Sequence, residues 1–392
     1  MSLLIVDDNA MNVLVIQEML KREGYRDFRV AHSAEEMFEK LGQDANGNAV
    51  AVPQVDLILL DLMMPRMDGI EACRILQANP NYKDIPVIMV TAIGDSRKLA
   101  EALDAGASDF VTKPINKTEL LARMRSALKL KRELDWHKER DSRLRQELML
   151  ARQVQLSVLP DAVDDERVAI TAYFNASEEL AGDLYAWHKI DDRRWAIAVV
   201  DAMGHGISSS LVSMFIASVL KEAMRTLRTP EKVFGELNRR MMGLQWENEL
   251  IPYFCTGIYL SLDLEEGTLT YVNAGHPPGF LFRQGEALPE QLTVVSPPLG
   301  MFERLPLTAR TLKISPDDRV ILFTDGILAP FQGEDETRLA KLADFLHHAQ
   351  EDEAELAQLV SCHPLDGRSD DRCLVKLEVK SGGAVHENQN EA

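Results

Sequence analysis

Five apolar runs punctuate the first third of the chain, at residues 3–6, 28–31, 55–60, 87–90 and 110–111. They are apolar throughout rather than alternating, as expected of strands covered on both faces. Helical patterns lie between them, and two starts are marked: Ser33 with Glu36 and Asn116 with Glu119 have capping-box spacing. Pro86 opens a strand, where its missing N–H does least harm. The pattern predicts a doubly wound α/β unit with a five-stranded parallel sheet over residues 1–128. Residues 42–54 exceed a usual connection and read as a surface insertion.

Residues 128–159 contain neither Pro nor Gly and are densely charged. Leu130, Leu134, Leu144, Leu148, Ala151 and Val158 follow a seven-residue pattern, with His137 and Asp141 on the same seam. A long helical linker is expected over 129–160, a coiled coil with a second copy being imperfectly encoded. Pro160 ends it. Strand-like segments follow at 169–174, 184–190, 195–201, 254–262, 268–273 and 319–323. Helical stretches at 208–226 and 230–246 sit together in their midst. Strands grouped apart from helices predict an α+β layered domain over 161–380. Residues 381–392 lack an apolar period and are expected to be disordered.

The 392 residues carry a formal charge of -19. No basic stripe offsets it, which argues against nucleic acid and against an anionic membrane. Cys73, Cys255, Cys362 and Cys373 form no CxxC pair and read as reduced thiols. The apolar start is too short for a leader, and the run at 211–220 is too short to span a bilayer. A cytoplasmic protein is expected.

Asp7-Asp8, Asp61, Thr91 and Lys113 stand at the carboxyl ends of apolar runs one, three, four and five. Open parallel sheets bind ligands outside those strand ends. Three acids, a hydroxyl and an amine suit a divalent cation, a phosphorylatable carboxylate and a balancing charge. Clustered carboxylates repel one another without a cation, and Mg²⁺ prefers carboxylates, waters and phosphate oxygens. In the run from Leu60 to Gly69, Pro65 and Gly69 shape a turn that leaves Asp61 exposed as a nucleophile. Lys113 would contact an acyl phosphate as a point charge, Thr91 would donate a hydroxyl, and Phe110 would change rotamer. By these motifs residues 1–128 resemble a bacterial response-regulator receiver domain. The resemblance implies phosphorylation of Asp61 by a histidine kinase or small phosphodonor. It also implies Mg²⁺ held by Asp7, Asp8, Asp61 and the Met63 carbonyl.

Four acidic spots mark the carboxyl half: Gly182-Asp183, Asp201-Ala202-Met203-Gly204-His205-Gly206, Thr324-Asp325-Gly326 and Asp370-Asp371. Glycine neighbours allow close approach of backbone and ligands. Oxygen ligands favour Mg²⁺ or Mn²⁺ over zinc, and two such ions can clamp a phosphate for in-line attack. An isolated Asp is more often a turn, the reading given to Asp263 and Asp366. His276, in Asn273-Ala274-Gly275-His276-Pro277-Pro278, reads as structural. His205 reads as a loop or outer hydrogen-bonding residue, and more weakly as a ligand.

Together these segments resemble the SpoIIE-type branch of the PPM metal-dependent serine/threonine phosphatases. The resemblance extends to Leu150-Ala151-Arg152-Gln153-Val154-Gln155, similar to a regulatory helix preceding such domains. It implies two Mn²⁺ or Mg²⁺ ions bound by Asp183, Asp201, the Ala202 carbonyl, Asp325 and Asp370, with Asp371 a weaker ligand. Ala181-Gly182-Asp183-Leu184-Tyr185-Ala186 departs from the family by one Gly and a final Asp. Thr324-Asp325-Gly326 lacks the acid that often follows, and Arg372-Cys373 replaces a usual Thr at the second place. The reading is a response regulator whose receiver controls a phosphatase acting on a phosphoserine or phosphothreonine protein, such as an anti-sigma-factor antagonist. The linker offers a route to a homodimer. The alternative is an RssB-type adaptor whose phosphatase-like domain binds the stationary-phase sigma factor without catalysis.

Overall fold

The computed structural model describes residues 1–42, 55–92, 96–204, 206–244, 253–349, 352–362 and 370–381. The chain divides into two compact units, Met1–Leu144 and Arg145–Ala392. Most of the 42–54 insertion, His205, Asp366 and the tail after Ser381 lie outside the described residues.

In the first unit, strands β1 (Ser2–Val6), β2 (Asp27–Ala31), β3 (Leu57–Asp61), β4 (Val87–Thr91) and β5 (Asp109–Thr112) alternate with helices α1 (Ala10–Arg22), α2 (Ala34–Lys40), α3 (Gly69–Ala78), α4 (Ser96–Asp104) and α5 (Lys117–Val158). All strands are parallel in the order β2-β1-β3-β4-β5. Successive side chains of a strand face opposite ways, so a continuous apolar run feeds two cores. Leu4, Val6, Ile58 and Leu60 pack with Met37, Phe38 and Ile70 of α2 and α3. Leu3, Ile5, Leu57 and Leu59 pack with Ile16, Leu20 and Met124 of α1 and α5. The marked helix starts are real caps. Ser33 Oγ accepts from Glu36 N at 3.2 Å, and Asn116 Oδ1 accepts from Thr118 N at 2.9 Å.

The long helix starts earlier than its charge pattern suggests, because the last helix of the parallel unit and the linker are one element, α5. After Leu128 its apolar residues are exposed, among them Leu130, Leu134, Leu144 and Leu150. Gln155 is buried.

The second unit has two antiparallel sheets. One, in order β14-β11-β10-β9-β8, uses β8 (Asp183–Lys189), β9 (Arg194–Ala202), β10 (Cys255–Asp263), β11 (Thr268–Ala274) and β14 (Arg310–Lys313). The other, in order β13-β12-β15-β16-β7-β6, uses β6 (Val163–Asp164), β7 (Val168–Asn175), β12 (Gly279–Phe282), β13 (Glu290–Leu292), β15 (Arg319–Phe323) and β16 (Arg372–Val379). Helices α6 (Ile207–Thr226) and α7 (Pro230–Met242) belong with the first sheet, α8 (Asp335–His348) and α9 (Glu353–Ser361) with the second.

Strand β9 shows how the layers form. Trp195, Ile197 and Val199 face the second sheet, with Ile170, Leu322 and Leu377. Ala196, Ala198 and Val200 face Ile216, Leu220 and Phe234 of α6 and α7. Small residues on that face let the helices lie close. Helix α6 is long and apolar enough to cross a membrane by length and composition, but half of it is buried in the fold. Asp263 is a turn residue, its Oδ1 accepting from Glu265 N and Glu266 N, both at 3.0 Å.

Leu269 of β11 is fully buried between the sheets. Leu269→Ala is expected to cost about 2–5 kcal/mol in urea unfolding of the carboxyl-terminal unit. Unfolding of the amino-terminal unit should not change.

Candidate functional site

At the carboxyl edge of the parallel sheet, carboxylate oxygens of Asp7, Asp8 and Asp61 lie within 4.8 Å of one another. Asp7 and Asp61 are buried and Asp8 is exposed. Lys113 Nζ donates to Asp7 Oδ2 at 2.9 Å and to Asp61 Oδ2 at 3.0 Å. Asp7 Oδ1 also accepts from Asn9 N at 2.9 Å and Asn12 Nδ2 at 3.0 Å. Burial raises the Asp61 carboxyl above its ordinary value. The Lys113 hydrogen bond opposes that rise and the Asp7 charge adds to it. The Met63 N–H donates to the Asp61 carboxylate. Thr91 is buried at the end of β4, and its carbonyl accepts from Lys113 N at 2.6 Å. Half-buried Phe110 carries the Arg123 guanidinium 5.3 Å from its ring centroid.

The second set of acids is more dispersed. Asp183 and Asp201 sit directly opposite on β8 and β9 and share a hydrogen bond. Asp201, Asp325 and Asp370 line one cavity of about 880 Å³ with His276, Pro277 and Arg338. Asp183 is buried, and its Oδ2 has no hydrogen-bond partner among the described residues. Burial drives the Asp183 carboxyl well up and the Asp201 charge drives it further, while a Thr324 hydrogen bond opposes. Asp201 is pushed up to about 8 by burial, then by Asp325 and Asp370. Asp325 is also raised by burial, opposed by the Gly326 N–H and the Arg338 charge.

Two glycines make the approach of these segments feasible. A Cβ on Gly182 would stand 2.9 Å from the Ala202 carbonyl oxygen, and one on Gly326 would stand 2.0 Å from the Asp371 carbonyl oxygen. Asp371 is engaged elsewhere: its Oδ1 accepts from Ser177 N at 2.8 Å and its Oδ2 from Gly182 N at 2.6 Å.

Residues 3–125 match the response regulator receiver domain family, and residues 191–380 match the Stage II sporulation protein E (SpoIIE) family. The response regulator RpfG of Xanthomonas campestris pv. campestris, a cyclic di-GMP phosphodiesterase, is 30% identical over 66% of this chain and 68% of its own length. The chain belongs to the response regulators, with a SpoIIE-type PPM domain as its output. The phosphoserine phosphatase RsbP of Bacillus subtilis is 36% identical over 60% of this chain, which spans 58% of that protein. The SiaA-PP2C domain of Pseudomonas aeruginosa shares the fold, with a TM-score of 0.52, 18% identity, and coverage of 61% of this chain and 98% of that one.

Within the SpoIIE-type domain Arg338 lies outside every motif, while Thr324 and Gln155 lie inside motifs that give them no role of their own. Arg338 is the single cation among the described residues lining the cavity. It is held by Leu328 O at 3.2 Å and Asp335 Oδ1 at 3.3 Å, and its only sequence signal is a place on the helix after Asp325. Thr324 is buried and accepts from Cys373 N at 3.0 Å while donating to Asp183. Gln155 bonds the backbone of Ala181. His276 is buried, its Nδ1 2.8 Å from Thr256 Oγ1, and burial lowers it to about 3, so its ring is neutral.

A carboxyl raised on folding favours the fold while it is protonated. That contribution is complete below the unfolded value near ~4 and is lost as pH rises through the folded one. For Asp201 the loss runs up to about 8. Metal-free protein should therefore show a melting temperature of the SpoIIE-type domain that falls between about pH 4 and about pH 8. A flat profile in Asp201→Asn would assign the slope.

Proposed function

We propose that this response regulator is a phosphorylation-controlled protein phosphatase. The observation that carries the reading is buried Asp183 set opposite half-buried Asp201, which lines one cavity with Asp325, Asp370 and Arg338. Mutually raised acids, an unpartnered buried carboxylate oxygen and an all-oxygen set fit Mn²⁺ or Mg²⁺. Asp183, Asp201, Asp325, Asp370 and the Ala202 carbonyl would hold two ions. Asp371 instead ties the approach to Asp183 through its two backbone hydrogen bonds. His205 would stay outside the ligand set. When bound, such ions would lower the pKa of a water and neutralise charge on a phosphoryl group.

The residues supply the rest. Arg338 faces the cavity with the planar donors that suit phosphate oxygens, and would orient the phosphoester. Thr324 holds Asp183 toward Asp201. In the receiver, Asp7, Asp8, Asp61 and the Met63 carbonyl would hold one Mg²⁺, consistent with the three close carboxylates. An Asp61 oxygen attacks the phosphorus of a histidine kinase or small phosphodonor, and the donor leaves. Lys113 then pairs with the new phosphoryl oxygens, Thr91 bonds them, and Phe110 repacks.

The substrate class is a phosphoserine or phosphothreonine protein in sigma-factor control, such as an anti-sigma-factor antagonist, consistent with the likeness to RsbP. The protein works in the cytoplasm without nucleic acid or membrane. The exposed apolar residues of α5 would pair two copies. The four carboxylate ligands are intact, and that favours the enzyme over the sigma-binding adaptor.

The test is hydrolysis of a phosphoserine protein in Mn²⁺ or Mg²⁺, with and without phosphorylated Asp61. Asp201→Asn and Asp325→Asn should each lower kcat by more than about a hundredfold, and Arg338→Ala should raise KM about tenfold. Asp61→Asn should remove the dependence on phosphodonor. Absence of turnover in both metals, together with retention of a sigma factor in pull-down, would sink the phosphatase in favour of the adaptor.

A further inference from the structure

From Arg145 to Val158 helix α5 is largely exposed, with Val154 and Leu156 on either side of Gln155 open to solvent. Gln155 is 5% exposed. Its Nε2 donates to the Ala181 carbonyl at 2.6 Å, and its Oε1 accepts from the Ala181 N–H at 3.0 Å. One amide thus satisfies both backbone groups of a single residue, and only one orientation of that amide can do so.

Ala181 stands two residues before Asp183. The intervening Gly182 donates to Asp371 Oδ2 at 2.6 Å and accepts from Ala202 N at 3.4 Å. The peptide that delivers Asp183 is therefore clamped from both sides, by helix α5 and by Asp371, the residue just before β16. Gly182 has little slack, because the Ala202 carbonyl occupies the place of a Cβ. A turn or shift of the helix end must withdraw the Gln155 amide. Two buried backbone groups would then be unpaired unless Ala181 follows, and orphaned groups of that kind are costly.

We infer that Gln155 is a positioning residue of the metal site. It fixes the Ala181-Gly182 peptide so that Asp183 meets Asp201 in ligating geometry, and it is the point where the state of helix α5 reaches the ligands. The inference rests on the phosphatase reading and deepens it. Because Gln155 acts through Ala181 and Asp183, it governs metal affinity first and turnover through it.

The experiment measures Mn²⁺ binding to the full-length chain by the electron paramagnetic resonance signal of free Mn²⁺, alongside melting temperature and phosphoserine hydrolysis. Gln155→Met keeps the length and removes both hydrogen bonds. Gln155→Glu keeps the bond from the Ala181 N–H and sets a carboxylate against the Ala181 carbonyl. Leu269→Ala, remote from the cavity, controls for lost stability. The expected result is a Mn²⁺ dissociation constant raised about tenfold or more by Gln155→Met. Gln155→Glu should fall between, and Leu269→Ala should bind as wild type despite its lower melting temperature. If Gln155→Met does not fold, a raised constant in Gln155→Glu supports the same assignment and an unchanged one overturns it. Wild-type affinity in both Gln155 variants, with wild-type chain active, overturns the positioning role alone. An equal loss in Leu269→Ala reduces Gln155 to a general stabiliser. Wild-type chain that neither binds Mn²⁺ nor turns over removes the phosphatase reading and this inference together.

Discussion

Carboxylates cannot be crowded in a poorly hydrated place without something to offset their repulsion. Each unit of this chain is organised around that constraint, and each meets it differently. In the receiver the offset is built in. Lys113 bridges Asp7 and Asp61 at 2.9 and 3.0 Å, and Asp7 spends its other oxygen on Asn9 and Asn12. The cluster is compact, half-wired by the protein, and leaves one acid, Asp8, exposed.

No lysine is among the described residues that line the cavity of the SpoIIE-type domain. Asp183 and Asp201 share a hydrogen bond, and their raised carboxyl values record how unfavourable it would be to ionise both. Arg338, at the rim of the cavity, moderates Asp325 without neutralising the pair. Such a site is unfinished by the protein's own charges. The same feature makes it responsive, because a small change in how Asp183 is presented alters the repulsion that a cation would relieve.

The fold serves that presentation. Two sheets packed face to face, with helices outside both, let β8 and β9 set Asp183 and Asp201 opposite each other by backbone register. Strands β15 and β16 bring Thr324 and Asp371 to the same end. Gln155 and Asp371 then hold the short segment before β8 that no strand pairing fixes. Helix α5 starts inside the receiver and carries Gln155 near its other end.

Much of this was legible in the residue pattern. Doubly buried strands announce themselves as continuous apolar runs, so β1, β3 and β4, and the acids and Thr91 at their ends, followed from period and strand-end chemistry. Caps at Ser33 and Asn116 were legible because their bonds are local. Strand β16 was not, since Arg372 and Lys376 interrupt its apolar run and are buried in the fold between strands that pair on both sides. What the amino-acid sequence determined alone was the type of chemistry: which segments bear acids, where the chain turns and which runs are strands. Tertiary structure alone decided which acids stand opposite one another, that Asp371 spends its oxygens on backbone N–H groups 189 and 194 residues away, and that Arg338 and Gln155 join the site. The physical reason is range. Hydrophobic period and capping act within a few residues, whereas the electrostatics of a carboxylate depend on whatever the folded chain places beside it.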